Sequence, residues 1–174
     1  MRDDLGIRSF NALSDKNCTI LILGTMPGNE SLSKNQYYGH PDNTFWDIII
    51  RVLKSNSTEL EIENFTYNQK QDLLLKNKIA LWDVLQYCTR AGSLDSKIRN
   101  EIKNDFEQFF KIHNKIRTVL FNGLKAEKYF MKYFQHLIQS SKINTLVLPS
   151  TSPSHTLNTF IKLKKWREAL LESM

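Results

Sequence analysis

Four short apolar runs, at residues 19–23, 79–82, 118–121 and 145–148, leave few folds open to this chain. Each is bounded by polar or turn residues, and its hydrophobicity is continuous instead of alternating. That pattern suits strands buried on both faces, as in a parallel sheet covered by helices. Helical patterns lie between the runs. Asp42 or Asn43 can cap a helix whose apolar face uses Phe45, Ile48, Ile49, Val52 and Leu53. A second helix is expected over residues 69–77. Ile98, Ile102, Phe106, Phe109 and Phe110 recur at helical spacing, as do Leu124, Tyr129, Phe130, Tyr133, Phe134 and Leu137. The last helix is expected to start near Leu157 and to bury Phe160, Leu163, Trp166 and Leu170. Strand and helix therefore alternate, which predicts a three-layer α/β/α domain with a four-stranded parallel sheet and right-handed crossovers.

The 174 residues fit one domain, 1–174, large enough to bury roughly 70% of the surface its unfolded chain would expose. Cys18 and Cys88 match neither CxxC spacing nor a disulfide framework, so both are read as buried thiols in a reducing cytoplasm. The first residues are charged and lack an apolar core of the signal-peptide kind. No run approaches the ~20 apolar residues that span a bilayer. A soluble, cytoplasmic monomer is expected. The net charge of +6 permits attraction to phosphate backbones, although Lys162, Lys164, Lys165 and Arg167 resemble the solvated face of a helix. The histidines at 40, 113, 136 and 155 show no HxxxH spacing, and two distant cysteines cannot hold an iron–sulfur cluster. No P-loop is present and no GxGxxG follows a strand. Neither a metal nor another cofactor is expected.

In such sheets ligands sit beyond the carboxyl ends of the strands. Those ends hold Gly24 to Pro27, Asp83, Asn122 with Gly123, and Ser150 to His155. The connection from residue 24 to the helix at Phe45 is far longer than the ~2–6 residues usual in α/β units, and it is too patterned for disorder. It is the expected active site.

This loop resembles the first motif of the hypoxanthine-DNA glycosylases, a branch of the uracil-DNA glycosylase superfamily. The resemblance rests on Gly24, Pro27, Gly28, Ser31, Leu32, Gln36, Tyr37, Tyr38, His40, Pro41, Asn43, Phe45 and Trp46. It implies the superfamily's four-stranded α/β/α fold, with a base pocket on the carboxyl edge of the sheet. Gly24, Thr25 and Met26 would help to line that pocket. Related mismatch-specific uracil glycosylases place a water-positioning asparagine where Met26 stands here, and a thioether cannot orient water usefully. The hypoxanthine branch shares this departure and implicates the asparagine that Asn43 matches. Asn43 could equally be a plain helix cap, and the two roles are compatible.

Tyr38 falls where the superfamily stacks an aromatic on the flipped base, against the alternative of a packed core tyrosine. Asp83 falls where uracil-specific relatives read the base edge, with local backbone capping as its rival role. Cys88, Arg90, Gly92, Ser93, Leu94 and Asp95 also resemble the branch, without an assigned role. Ser150, Thr151, Ser152, Pro153, Ser154 and His155 resemble the second motif, a DNA-contacting loop, with His155 a departure from the small or amide residue expected there. The implied activity is a monofunctional glycosylase removing hypoxanthine from DNA during base excision repair. A uracil or mismatch-uracil glycosylase is the enzymatic alternative. With Met26 where it stands, a catalytically silent DNA-lesion binder is the alternative of another class.

Overall fold

The computed structural model describes residues 6–174. From the N-terminal side its elements are β1 (Gly6–Arg8), β2 (Ile20–Gly24), α1 (Asn29–Lys34), α2 (Phe45–Leu53), α3 (Glu59–Glu63), α4 (Tyr67–Lys76) and β3 (Ile79–Asp83). There follow β4 (Leu85–Thr89), β5 (Arg99–Lys103), α5 (Phe106–Ile112), β6 (Thr118–Asn122), α6 (Leu124–Gln139), β7 (Asn144–Leu148) and α7 (Thr159–Ser173). The four apolar runs are the strands of one parallel sheet, in the order β3-β2-β6-β7. Every residue of β2 and β6 is buried, as continuous hydrophobicity requires of central strands.

Successive residues of these strands face opposite layers. Ile20, Ile22, Leu81 and Leu120 point to one side, where they join Phe45, Ile48, Ile49, Leu74, Trp166 and Leu170 from α2, α4 and α7. Leu21, Leu23, Val119 and Phe121 point to the other, against Phe106, Phe130 and Phe134 from α5 and α6. Trp166 meets Phe45 edge to face, with ring centroids 5.9 Å apart, and donates its indole N–H to the Pro149 carbonyl. Both cysteines are buried and free. Among the described residues no helix is long and apolar enough to cross a membrane.

Three departures from the sequence reading have physical causes. Residues 98–110 do not form one helix. Asp105 caps α5 by accepting from the Gln108 amide, and Asn104 turns back to donate to the Asp83 carbonyl. Residues before them pair instead as β5 with β4, and β4 with β1, in a small antiparallel sheet that the alternation rule does not foresee. Ile98 is buried while Ile102 is exposed, so their helical spacing does not describe a single face. Phe160 and Leu124, both expected inside, are 73% and 63% exposed, because each stands in the first turn of its helix at the rim of the sheet. α4 begins two residues before its expected start, where Thr66 and Gln69 form a reciprocal capping box.

The segment after β7 is tied back to the sheet by one side chain. Asn122, the last residue of β6, donates from Nδ2 to the Thr151 hydroxyl at 2.9 Å and accepts the Thr151 amide on Oδ1 at 2.9 Å. Next to it Gly123 has φ +97°, and a Cβ there would lie 3.0 Å from that of Ser150, so both backbone and space demand glycine. Asn122→Ala would leave the fully buried Thr151 N–H without its partner. The expected loss is ~1–3 kcal/mol of stability, read as a lower urea midpoint with an unchanged slope.

Candidate active site

Parallel register brings all four strand ends to one edge, and a cleft of about 1340 Å³ opens there. Its floor holds Gly24 from β2, Asp83 from β3 and Asn122 from β6, and the segment following β7 forms one wall. The opposite wall is the long connection from β2 to α2. This connection is ordered by a short helix, α1, and by the hydrogen bonds of one buried tyrosine. Tyr37 accepts the Trp46 indole N–H on its carbonyl at 2.7 Å, and its amide donates to the Tyr67 hydroxyl at 3.0 Å. Its own hydroxyl donates to the Asn11 carbonyl at 3.0 Å. Tyr37 is therefore a core anchor, and the residue beside it is held in one pose.

That residue, Tyr38, has φ +53°, an uncommon conformation for a side-chain-bearing residue. Phe45 stacks on one face of its ring with centroids 4.0 Å apart, while the ring lines the cleft. The Tyr38 hydroxyl is buried and has no protein hydrogen-bond partner among the described residues. A Cβ at Gly24 would lie 2.9 Å from this hydroxyl and 2.5 Å from Asp83 Oδ1, so glycine alone fits between them. Burial raises the Tyr38 phenol far above its ordinary range, and the neighbouring Asp83 charge adds to the effect. The ring therefore remains a neutral phenol.

Asp83 is 3% exposed. Its Oδ2 accepts from the Ser9 hydroxyl at 3.2 Å, and its Oδ1 lies beside Gly24 at the floor of the cleft. Burial pushes its carboxyl up to about 7, with the charge of Asp95 adding and the Ser9 bond and Arg90 opposing. The rival role as a local cap does not describe its side chain, which bonds to Ser9 across the fold.

Asn43 lines the cleft just ahead of α2, whose N-cap is Thr44. Its Oδ1 accepts the Phe45 amide at 3.0 Å, an Asx turn that seats the helix. The Thr44 amide in turn donates to the Thr151 carbonyl at 3.2 Å, coupling the helix entry to the opposite wall. Met26 lines the cleft as expected, although it is largely buried and belongs to the same core cluster as Leu23, Val84 and Phe121.

Of the six residues expected to contact DNA, Thr151 is fully buried and bonded to Asn122, so it pins the loop instead of presenting itself to a ligand. Pro153, Ser154 and His155 are exposed on the rim, while Ser150 and Ser152 are half-buried. Lys162 fixes this segment from α7 by donating to the His155 carbonyl at 2.7 Å. The His40 ring accepts the Asp42 amide at 3.1 Å and so shapes its own loop. Lys34 donates to the Gly39 carbonyl at 2.7 Å. No group of three or more His, Cys, Asp and Glu suited to a metal ion occurs among the described residues.

The cleft also takes in residues to which the sequence reading gave no role. Asp95 and Leu94 enter from the segment after β4, and Lys125 and Lys165 stand on α6 and α7. Asn122 was visible as a strand end. The others lie outside any strand end, so only the folded chain brings them in.

The sequence matches the family model described as "Uracil DNA glycosylase superfamily" over residues 10–173. A protein named hypoxanthine DNA glycosylase in Methanosarcina acetivorans is 40% identical over 145 residues, covering 83% of this chain and 85% of its own. Another of that name in Methanosarcina barkeri is 32% identical over 162 residues, covering 93% and 96%. The solution NMR structure of a Methanosarcina acetivorans chain, described as a candidate uracil DNA glycosylase, superposes with a TM-score of 0.80 at 35% identity, covering 97% of this chain and 99% of that one. With the family model spanning nearly the whole chain and two relatives above 30% identity, this protein belongs to the uracil DNA glycosylase superfamily.

Proposed function

We propose that the protein is a monofunctional DNA glycosylase that hydrolyses the N-glycosidic bond of deoxyinosine in DNA, freeing hypoxanthine and leaving an abasic site. One observation carries this reading. Tyr38, backed on one face by Phe45, stands beside the buried Asp83 carboxyl at the floor of a cleft large enough for a nucleotide. An enzyme acting on a base takes it out of the duplex stack and holds it between an aromatic surface and polar groups that read its edge. The relatives named hypoxanthine DNA glycosylase support the choice of base.

In this reading Tyr38 stacks on the base and Asp83 reads its edge, with Gly24 and Thr25 closing the floor. The Ser152 and Ser154 hydroxyls and the exposed His155 side chain at the rim hold the DNA backbone. Asn43 orients the attacking water, because its Oδ1 keeps a second lone pair after accepting the Phe45 amide and its Nδ2 is a free-standing donor type. Incubating labelled duplexes that contain inosine, uracil, xanthine or thymine mismatches, followed by alkali, tests the assignment. Strand scission at inosine is expected. Scission at uracil alone would make the protein a uracil glycosylase, and retarded but uncut DNA would make it a lesion binder.

Asn43→Ala should abolish most single-turnover cleavage of inosine duplex. The lost turn costs only about 0.5–2 kcal/mol of stability, so the protein should still unfold cooperatively. A folded variant that cuts at the wild-type rate would move the water-orienting role elsewhere.

The position of the Asp83 titration also predicts how selectivity changes with pH. Below about 7 its carboxyl holds a proton and can donate to the N1 lone pair of adenine; above about 7 the carboxylate only accepts, which suits the N1–H of hypoxanthine. An exposed aspartate would be ionised at both ends of this range, and burial confines the ionised form of Asp83 to the alkaline side. The ratio of inosine to adenine cleavage should therefore rise as pH increases through about 7. In Asp83→Asn, whose amide can donate at any pH, the ratio should be lower and flat. Parallel single-turnover assays of both duplexes check this, and a pH-independent wild-type ratio would remove Asp83 from base selection.

A further inference from the structure

Hydrolysis at the sugar needs a group that the residues assigned so far do not supply. The water oxygen bonds to C1′ as the C1′–N9 bond breaks, and N9 keeps the bonding pair. The oxygen must then shed a proton. An asparagine can orient that water but is too weak a base to take the proton. His155 sits exposed on the rim, and the His40 ring is engaged with its own loop. Asp83 lies too deep: at 3% exposure beside the Tyr38 hydroxyl on the cleft floor, it meets the base, not the sugar.

We infer that Asp95 is the carboxylate that accepts this proton, and that Arg90 is the residue that positions it; the inference rests on the glycosylase reading above. Depth is the first argument. The Asp95 side chain keeps 32% of its surface exposed and lines the same cleft as Asp83. A flipped nucleotide enters base first while its sugar stays joined to the backbone outside, so the shallower carboxylate faces the sugar. A carboxylate there also stabilises the positive charge that develops on the sugar as the base departs.

The second argument is the support behind it. The Arg90 side chain is wholly buried, and among the described residues the carboxylate within ion-pair distance of it is Asp95, with Nη1 3.5 Å from Asp95 Oδ1. Its remaining donors bond to backbone carbonyls: Nε to Gly92 at 2.9 Å and Nη2 to Pro27 in the first-motif loop. Ser93 reinforces the join by accepting the Asn29 amide at 3.0 Å. A guanidinium buried in this way fixes direction more than it stabilises the fold, because burying a charge is costly unless the geometry requires it. Here it locks the segment carrying Asp95 against the loop carrying Met26, the position of the first motif whose thioether cannot orient water.

Groups from every adjoining element act on Asp95. Burial raises its carboxyl, while a hydrogen bond from Thr25, the Arg90 charge and Lys125 on α6 hold it down. Asp95 in turn bears on Asp83 and Tyr38. Burial wins on balance, so the carboxyl sits above the ordinary carboxylate range, and Arg90 and Lys125 favour the charged form that a base requires while Asp83 serves the base edge. The proton it accepts passes on to solvent at the cleft mouth or to the departing base, which restores the carboxylate.

The experiment compares wild type with Asp95→Asn, which keeps the shape and removes the base. Single-turnover cleavage of inosine duplex should fall by about 10²–10⁴-fold, the usual contribution of a positioned base. Binding of a duplex carrying 2′-fluoro-deoxyinosine, whose glycosidic bond resists cleavage, should be unchanged. Arg90→Met should move the acid limb of the pH–rate profile to higher pH, a shift that a purely structural loss would not produce. If that variant fails to fold, Arg90→Lys keeps the charge, and the inference then requires an unmoved limb with a lowered plateau. Wild-type cleavage by Asp95→Asn overturns the inference, as does equal loss of cleavage and of fluoro-duplex binding. A wild-type protein that leaves inosine uncut overturns the glycosylase reading and this one together; inosine cleavage by the wild type beside a fully active Asp95→Asn overturns this one alone.

Discussion

Parallel pairing at fixed register is the constraint on which the rest of this molecule depends. Gly24 is set opposite Asp83 across β2 and β3, Leu23 opposite Phe121 across β2 and β6, and Asn122 opposite Leu148 across β6 and β7. Side chains alternate along a strand, so a slip of one residue would turn each inward residue outward. It would also carry Asp83 and Asn122 away from the cleft. The two packed helical layers resist such a slip, because both faces of β2 and β6 are buried. Site geometry is thus a by-product of core packing, and no residue of the cleft floor has to specify it.

Charge is arranged by depth on that frame. Of the carboxyls that line the cleft, Glu30 is paired with Lys34 near the surface, while Asp83 and Asp95 lie deeper, with the fully buried Arg90 guanidinium behind Asp95. Two full negative charges close together in a low-dielectric setting repel strongly, and the deeper group yields by holding its proton longer. Asp83, whose carboxyl is pushed up to about 7, is the deeper group; burial raises Asp95 as well, but Thr25, Arg90 and Lys125 oppose that rise. Differences in depth and in charged partners are how one site obtains two chemically different groups from the same residue type.

What could be read from the sequence was whatever a local pattern records. The four strands announced themselves by unbroken hydrophobicity, and the topological rule then placed Gly24, Asp83 and Asn122 at one edge. Tyr38 and Asn43 were legible through a motif of unusual density. The antiparallel sheet of β1, β4 and β5 was not, because β5 reads Arg-Asn-Glu-Ile-Lys, with a single apolar residue and that one half exposed. Its pairing comes from β4 across a turn and not from its own composition. Phe160 and Leu124 misled for the opposite reason, since an apolar residue in the first turn of a helix fits the periodicity while lying beyond the layer that would cover it. Arg90 and Asp95 stood out only by resemblance and had no legible role, because their meaning lies in contacts to Pro27 and Thr25 more than sixty residues away.

The site is also the least relaxed part of the fold, and its surroundings explain how it persists. Tyr38 holds a left-handed backbone conformation, its hydroxyl is buried without a hydrogen-bond partner among the described residues, and Asp83 is sequestered where its charge is disfavoured. Features of this kind each cost of order 1–3 kcal/mol and survive only where neighbours over-determine them. Tyr37 supplies that over-determination, with bonds to Trp46, Tyr67 and Asn11 that tie the loop to α2, to α4 and to the segment before β2. Relaxing Tyr38 into an ordinary conformation would require Tyr37 to leave its place at 5% exposure. The core therefore holds the stacking ring and the carboxyl in a pose ready for a base before any base arrives, and the ordering of that pose need not be supplied again at each binding event.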